Sequence, residues 1–288
     1  MAFNWQTFRT RTISAAVFVV VMLAGLLGSD WMFFILISIL HLGCWLEYQR
    51  LVGKIDEGYS QITPFHRYGV IIAGWSISLW FTDNSFNIGS IPLHSIGWNL
   101  GLVLAFALPI IEILFTRQMS MKNIGYSAFG LLYISLSWGL MIDLRLKFQF
   151  EEPHEFWNKL IPLVLVLSIW INDTMAYIVG SLIGKTSFSS ISPKKTWEGT
   201  LGGILLAVVV MTLVGYLTGV FKLIDWLCIS AIASITGTVG DLLESKLKRL
   251  ANVKDSGQMM PGHGGFLDRF DSLLVATPFV WLYVHFFM

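Results

Sequence analysis

Apolar runs of helix length alternate with short polar clusters along the whole 288-residue chain. An apolar run of about 20 residues is what a helix needs to cross the hydrocarbon core of a bilayer. Nine such runs are bounded by charge, glycine, proline or polar clusters, at 13–29, 31–49, 68–82, 98–116, 124–142, 160–182, 199–221, 226–244 and 272–288. The pattern predicts an all-α, polytopic integral membrane protein of about nine transmembrane helices. Arg9 and Arg11 ahead of the first run look like a signal-peptide n-region, but no small-x-small cleavage site follows Leu26-Leu27-Gly28 and further spans come after it, so the helix is read as retained. The last run, from Ser272 to Met288, is short and needs local thinning or burial among neighbours.

Charge orients the helices. Of the 19 Lys and Arg residues, 15 fall on the N-terminal side of an odd-numbered bundle: Arg9, Arg11, Arg50, Lys54, Arg67, Arg117, Lys122, Lys185, Lys194, Lys195, Lys246, Lys248, Arg249, Lys254 and Arg269. Arg145, Lys147, Lys159 and Lys222 fall on the other side, three of them in a loop that also carries Glu151, Glu152 and Glu155. By the positive-inside rule the N-terminus is cytoplasmic and the C-terminus outside. The expected location is the cell's inner (plasma) membrane, multi-pass. Composition agrees: 55% hydrophobic and 13% charged residues, with mean hydropathy +0.68, leave too little polarity for a water-facing surface. A net charge of +1 argues against a nucleic-acid binder held by bulk positive charge. Cys44 and Cys228 lie in apolar runs without metal-type spacing and read as buried fillers. No repeat or long linker divides the chain, so residues 1–288 are expected to form one membrane-embedded catalytic domain, 1–160 a helical scaffold and 161–288 the part bearing the chemistry.

Acidic residues inside spans are expensive and call for a partner or a function. Glu112, Asp173, Asp241 and Glu244 stand out, with Glu244 one turn from Asp241, while Glu47 is close enough to an interface to be wet. For Glu112, pairing with a polar group of a neighbouring helix is as good a reading as a functional one. Polarity then concentrates from Gly240 to Asp271. Asp268 and Asp271, three apart, share a face on a helix, and Gly262, Gly264 and Gly265 allow a tight turn with backbone N–H groups free. Lys248, Arg249, Lys254 and Arg269 could simply neutralise these carboxylates. The alternative is a Mg²⁺ held by Asp241, Asp268 and Asp271, with the basic residues left for phosphates, since Mg²⁺ takes a few carboxylates and fills its shell with water and phosphate oxygens. A second polar knot, Gly184-Lys185-Thr186 and Ser192-Pro193-Lys194-Lys195-Thr196-Trp197-Glu198-Gly199, falls on the same side. It is not a P-loop, because the earlier glycine and the preceding strand are missing. Two basic loops and intramembrane acids on one face suit a phosphate-rich soluble substrate meeting a lipid one.

The run Ser245-x-Leu247-Lys248-Arg249-x4-Lys254-Asp255-x-Gly257-x3-Pro261-x-His263-Gly264-Gly265-x2-Asp268-Arg269-x-Asp271 resembles the signature of the phosphatidate cytidylyltransferases, or CDP-diacylglycerol synthases. Met260 stands where that family usually has a branched aliphatic residue or Phe. Asn172-Asp173-Thr174-x-Ala176-Tyr177 and Ser192-Pro193-Lys194-Lys195-Thr196-x-Glu198-Gly199 are similar to the same family, so the resemblance covers roughly 170–288. It implies a Mg²⁺-dependent enzyme that converts CTP and phosphatidic acid into CDP-diacylglycerol and pyrophosphate at a site facing the cytoplasm. It also implies Asp241, Asp268 and Asp271 as metal ligands, with room for a second cation, and Lys254 beside them as a catalytic residue. Asp173, Lys194, Lys195, Ser245, Lys248, Arg249, His263 and Arg269 become substrate-binding residues. His263 fits a hydrogen-bond donor to phosphate or a turn-stabilising residue, whereas His41 and His285 lie on apolar spans and read as packed or interfacial. The expected partners are CTP and bilayer phosphatidic acid, no nucleic acid, and a homodimer is compatible. The rival readings are a polyprenol or dolichol kinase-like enzyme, another lipid-phosphate nucleotidyltransferase, and, from a different class, an ion-coupled transporter using Glu112, Asp173 and Asp241. No second copy of the Gly240–Asp271 segment supports the transporter.

Overall fold

The computed structural model describes residues 5–83, 86–115, 120–147, 157–259 and 264–288. His263, Met260 and the glutamates of the 145–159 loop lie outside them, as does Arg117. The described chain is mostly helical, with a two-residue hairpin pairing Asn87–Ile88 with Ile91–Pro92 and an isolated bridge between Ser187 and Thr196. In order, the helices are α1 (Trp5–Leu27), α2 (Asp30–Ile55), the single turn α3 (Glu57–Ser60), α4 (Pro64–Trp80), α5 (Leu93–Phe115), α6 (Met121–Gly130), α7 (Ser137–Leu146), α8 (Trp157–Ile183), α9 (Trp197–Thr218), α10 (Leu223–Leu250) and α11 (Leu267–Phe287). A π-helical stretch, Leu131–Leu136, joins α6 to α7 into one continuous rod.

Among the described residues every expected run contains a helix, and seven are long and apolar enough to cross a membrane: α2, α5, the α6–α7 rod, α8, α9, α10 and α11. The apolar part of α1, Thr12–Leu27, and the 17-residue α4 are shorter. The last helix is longer than its apolar run suggested. It starts at Leu267, so Asp268 and Asp271 stand in its first two turns and 21 residues are available for the span. Pro109, Pro162 and Pro278 sit inside α5, α8 and α11; membrane helices tolerate such breaks where neighbours satisfy the freed backbone.

Local chemistry explains the helix ends. Ser29 and Thr63 accept from Met32 N–H and His66 N–H at 3.3 and 3.1 Å, capping α2 and α4. Thr196 caps α9 through Gly199 N–H at 3.1 Å, and Gly219 closes it in the left-handed conformation at φ +66°.

The chain forms two compact units. The first comprises Met1–Ile142 and Leu250–Arg269, the second Asp143–Arg249 and Phe270–Met288. In the first, α2 is the central helix. His41 Nε2 and Trp45 Nε1 both reach Ser135 Oγ, at 2.9 and 2.8 Å, so the packed reading of His41 holds. Gly130 lies against the Trp45 and Tyr48 rings, and Gly97 against the α4 backbone at Trp80, so neither tolerates a methyl. In the second, α8 lies along α9 at Gly202 and Gly203, which meet Val179 and Ala176. Tyr283 Oη donates to the buried Asp225 at 2.8 Å and Trp281 Nε1 to Asp143 at 2.6 Å, fixing the far half of α11. His285 stacks on Trp281 at the exposed end.

Candidate active site

The second unit gathers its polar residues where α10 meets the start of α11 and the α8–α9 connection. The connection is a small hairpin: Ser187 bridges Thr196, Phe188 N–H donates to Lys195 C=O at 2.8 Å, and Trp197 packs edge-on against Phe188 at 4.5 Å. Glu198, in the first turn of α9, accepts from the backbone N–H groups of Lys185 and Thr186 at 3.2 Å and so ties the two limbs together. The hairpin leaves Lys194 exposed and delivers Lys195 to Asp241 of α10, where ammonium and carboxylate form an ion pair.

Along α10, Asp241, Glu244, Ser245 and Lys248 recur at helical spacing, which places them on one stripe. Ser245 Oγ donates to Asp241 Oδ1 at 3.3 Å, and Lys248 pairs with the fully buried Glu244 one turn away. Gly240 makes the crossing with α11: its Cα faces the Asp271 carbonyl, and an added methyl would come 2.9 Å from Ser272 Cα. That close approach buries Asp271, which accepts from Ser272 N–H at 2.7 Å and lies within electrostatic reach of Asp241 and Asp173. Asp173 is held from α8 by Asn172, whose Nδ2 donates to it and to Thr238 Oγ1, both at 3.4 Å. Four carboxylates, Asp173, Asp241, Glu244 and Asp271, and the cations Lys195 and Lys248 therefore share one end of this unit. Arg249 is exposed just beyond them.

Asp268, Lys254 and Arg269 belong to the first unit. Asp268 Oδ2 accepts from Ser256 N–H and Gly265 N–H, both at 2.8 Å, and its own N–H donates to Ser256 Oγ at 3.2 Å, folding the turn that joins α10 to α11 back on itself. Behind that turn stands a residue whose weight the sequence hides. Glu47 of α2, expected to be wet, is 5% exposed; its Oε2 accepts from Ser256 Oγ–H and Leu267 N–H at 2.8 and 2.9 Å. The Glu47 carboxyl lies directly against Gly257 and Gly265, so a side chain at either position would collide with it. Gly264 adds a φ of +87° and contact with Asp268. Two of the signature glycines, Gly257 and Gly265, are therefore accounted for by a carboxylate about 200 residues upstream. Only its place in a polar helix end, Glu47-Tyr48-Gln49-Arg50, hinted at that role. Lys254 and Arg269 are exposed on the same turn.

Among the described residues, no three His, Cys, Asp or Glu side chains converge as a ready-made metal cage. Asp241 and Asp271 nonetheless offer hard oxygens, and a cation, the Lys195 ammonium, already sits on Asp241. That donor set fits Mg²⁺, which needs one or two carboxylates when water and phosphate oxygens complete its shell. Glu112, far along the sequence from this chemistry, pairs with His66 of a neighbouring helix at 3.2 Å, the polar-partner alternative for that residue.

The profile of the cytidylyltransferase family matches residues 9–287. A phosphatidate cytidylyltransferase of Bacillus subtilis (strain 168) is 37% identical over 183 residues, which is 61% of this chain and 65% of the relative. One from Synechocystis sp. is 41% identical over 138 residues, 47% of each chain. One from Haemophilus influenzae is 28% identical over 299 residues, 97% of this chain and 99% of the relative. The first two matches span about half to two thirds of those relatives' length.

Proposed function

The chain belongs to the cytidylyltransferase family, and from that membership we propose that it transfers the cytidylyl group of CTP to phosphatidic acid. The relatives named above carry the name of that activity. The observation that carries the reading on this chain is the end of the second unit where Lys195, Lys248, Asp173, Asp241 and Asp271 meet. Acids and bases in a membrane helix bundle are costly unless they meet a ligand or each other. An alternating set of this kind suits a triphosphate and a divalent cation together.

In the proposed reaction a phosphatidate oxygen attacks the α-phosphorus of CTP. One P–O bond forms, the bond to the β-phosphate breaks, and pyrophosphate leaves with the electron pair. Phosphatidate is already ionised, so the protein supplies position and charge rather than a nucleophile. Lys195, extended by the hairpin, and Lys248, braced by Glu244, are assigned to phosphate oxygens, with Lys194, Arg249 and Ser245 at the rim. Asp241 and Asp271 would hold Mg²⁺, and Asp173, held by Asn172, is assigned to orienting the substrate phosphates beside them. The cation, when bound, neutralises charge on the phosphates. Asp268 is assigned to the signature turn that displays Lys254 and Arg269, and its expected role as a metal ligand rests on the signature alone. His263, outside the described residues, is a proposed phosphate donor by its place in the signature. The site is placed on the cytoplasmic face of the plasma membrane, following the charge bias of the loops.

Full-length protein in mixed micelles, given CTP, phosphatidic acid and Mg²⁺, is expected to release one pyrophosphate per CDP-diacylglycerol. Release of a nucleoside diphosphate instead would identify a kinase-like enzyme. Turnover unaffected by chelation would remove Mg²⁺ from the assignment of Asp241 and Asp271.

A further inference from the structure

The first unit contains a cavity of about 550 Å³ between α4, α5 and the α6–π segment, with no residue in common with the site described above. Its long walls are apolar, formed by residues such as Val70, Ile77, Leu102, Leu108 and Leu131. At about 30 Å³ per water-sized group it holds roughly eighteen such groups, the bulk of one long acyl chain. Its lining on α5 runs from Gly97 to Glu112, about 22 Å of helix at 1.5 Å per residue. The cavity opens sideways: Trp80, Trp98 and Leu102 on its rim are half-exposed, and the apolar window of α5 has no buried residue. In a membrane helix that exposed face is turned to lipid.

One end is polar, and its hydrogen bonds run in one direction. Tyr59 Oη lies 3.2 Å from Ser127 Oγ, Ser127 Oγ 2.8 Å from His66 Nε2, and His66 Nδ1 3.2 Å from Glu112 Oε2. Burial pushes the Tyr59 phenol up, so it remains a donor. In the tautomer that satisfies every donor, Tyr59 gives to Ser127, Ser127 to His66, and His66 Nδ1–H to Glu112. The relay ends on a carboxylate that lines the cavity. The order Ser, His, Glu is that of a hydrolase triad, but Ser127 lies inside α6, where backbone N–H groups are bonded along the helix and form no oxyanion hole. The relay instead holds the Glu112 carboxyl group at the head of an acyl-sized slot.

We infer that this cavity is a lipid site that takes one acyl chain of an ethanolamine-type phospholipid, its ammonium paired with Glu112. The carboxylate matches a cationic head group with N–H donors and repels an anionic one. The inference is independent of the proposed reaction, because the residues belong to the first unit and none is assigned to CTP.

The test is native mass spectrometry of the full chain in detergent with dioleoyl phosphatidylethanolamine, dioleoyl phosphatidylcholine, dioleoylglycerol and dioleoyl phosphatidate, each alone. Ethanolamine lipid should be retained best. Glu112→Gln should weaken its retention about tenfold or more, the worth of a charge-assisted hydrogen bond. Ala105→Phe, which fills the cavity from α5 without touching the polar end, should abolish it; unchanged melting temperatures establish that both variants fold. Phosphatidate retention should be the same in all three proteins. Equal retention of choline and ethanolamine lipids, insensitivity to both variants, or phosphatidate retention that falls with Glu112→Gln overturns the inference.

Discussion

Removing Lys195 tests the catalytic proposal most sharply, because stability and rate are expected to respond by very different amounts. Lys195 and Asp241 are each 29% exposed, so their mutual attraction is partly screened and worth about 0–1 kcal/mol to folding. Lys195→Met keeps the stem and removes the charge. It should lower the melting temperature by no more than about 2–4 °C, the shift that 1 kcal/mol makes in a protein of this size class. If the ammonium meets the triphosphate, kcat/KM for CTP should fall about 10²–10³-fold, as when one preorganised donor is lost. Asp241→Asn should fall comparably but also move the Mg²⁺ concentration needed for half-maximal rate upward, which Lys195→Met should not. The double variant distinguishes a working unit from two separate effects. Residues that act together are strongly non-additive, so Lys195→Met/Asp241→Asn should be about as slow as the worse single variant rather than slower by the product. Initial rates of pyrophosphate release in mixed micelles, with thermal melts on the same preparations, supply all the quantities. A folded Lys195→Met protein within threefold of the parent rate would refute the assignment and return the pair to a structural tie between hairpin and helix.

Gly240→Ala drives a methyl into the Asp271 carbonyl, so α10 and α11 must separate; a loss of about 1–3 kcal/mol is expected in chemical denaturation, with a larger proportional loss of activity. Glu47→Gln presents an amide where Ser256 O–H and Leu267 N–H need an acceptor, and should cost about 1–3 kcal/mol while exposing the 251–265 turn to limited proteolysis; a turn as resistant as the parent's would show that Glu47 does not hold it. Glu198→Gln weakens the clamp on the Lys185 and Thr186 N–H groups, so KM for CTP should rise with kcat little changed, measured in the same release assay.

How much of this was legible in the sequence follows from the range of the forces involved. Helix positions were readable because hydrocarbon thickness imposes a length on every span, and each expected run contains one of the helices. Their ends were less so: α11 begins at Leu267 because Glu47 accepts its first N–H and Asp268 turns back to Gly265, long-range bonds that periodicity does not register. Asp241, Lys195 and Asp271 could be singled out as costly charges, but that Lys195 rather than Lys194 reaches Asp241 depends on the Ser187–Thr196 bridge and the Glu198 clamp. Spacing suggested that Asp268 and Asp271 act as a pair. In the folded chain Asp268 takes two backbone N–H donors from its own turn, whereas Asp271 is buried beside Gly240.

Glu47 and Glu112 show why the remainder was hidden. Both are single carboxylates on largely apolar helices, and nothing local names the partner of either. One lies against the backbone of two glycines at 257 and 265 and organises the signature turn; the other ends a hydrogen-bond relay at an acyl-sized cavity. An acid in a membrane helix is retained by the group it meets, and that group is set by helix crossings where glycine admits close approach. A sequence reading can therefore mark such an acid as expensive, while the partner that offsets its cost, and hence its role, is decided by packing.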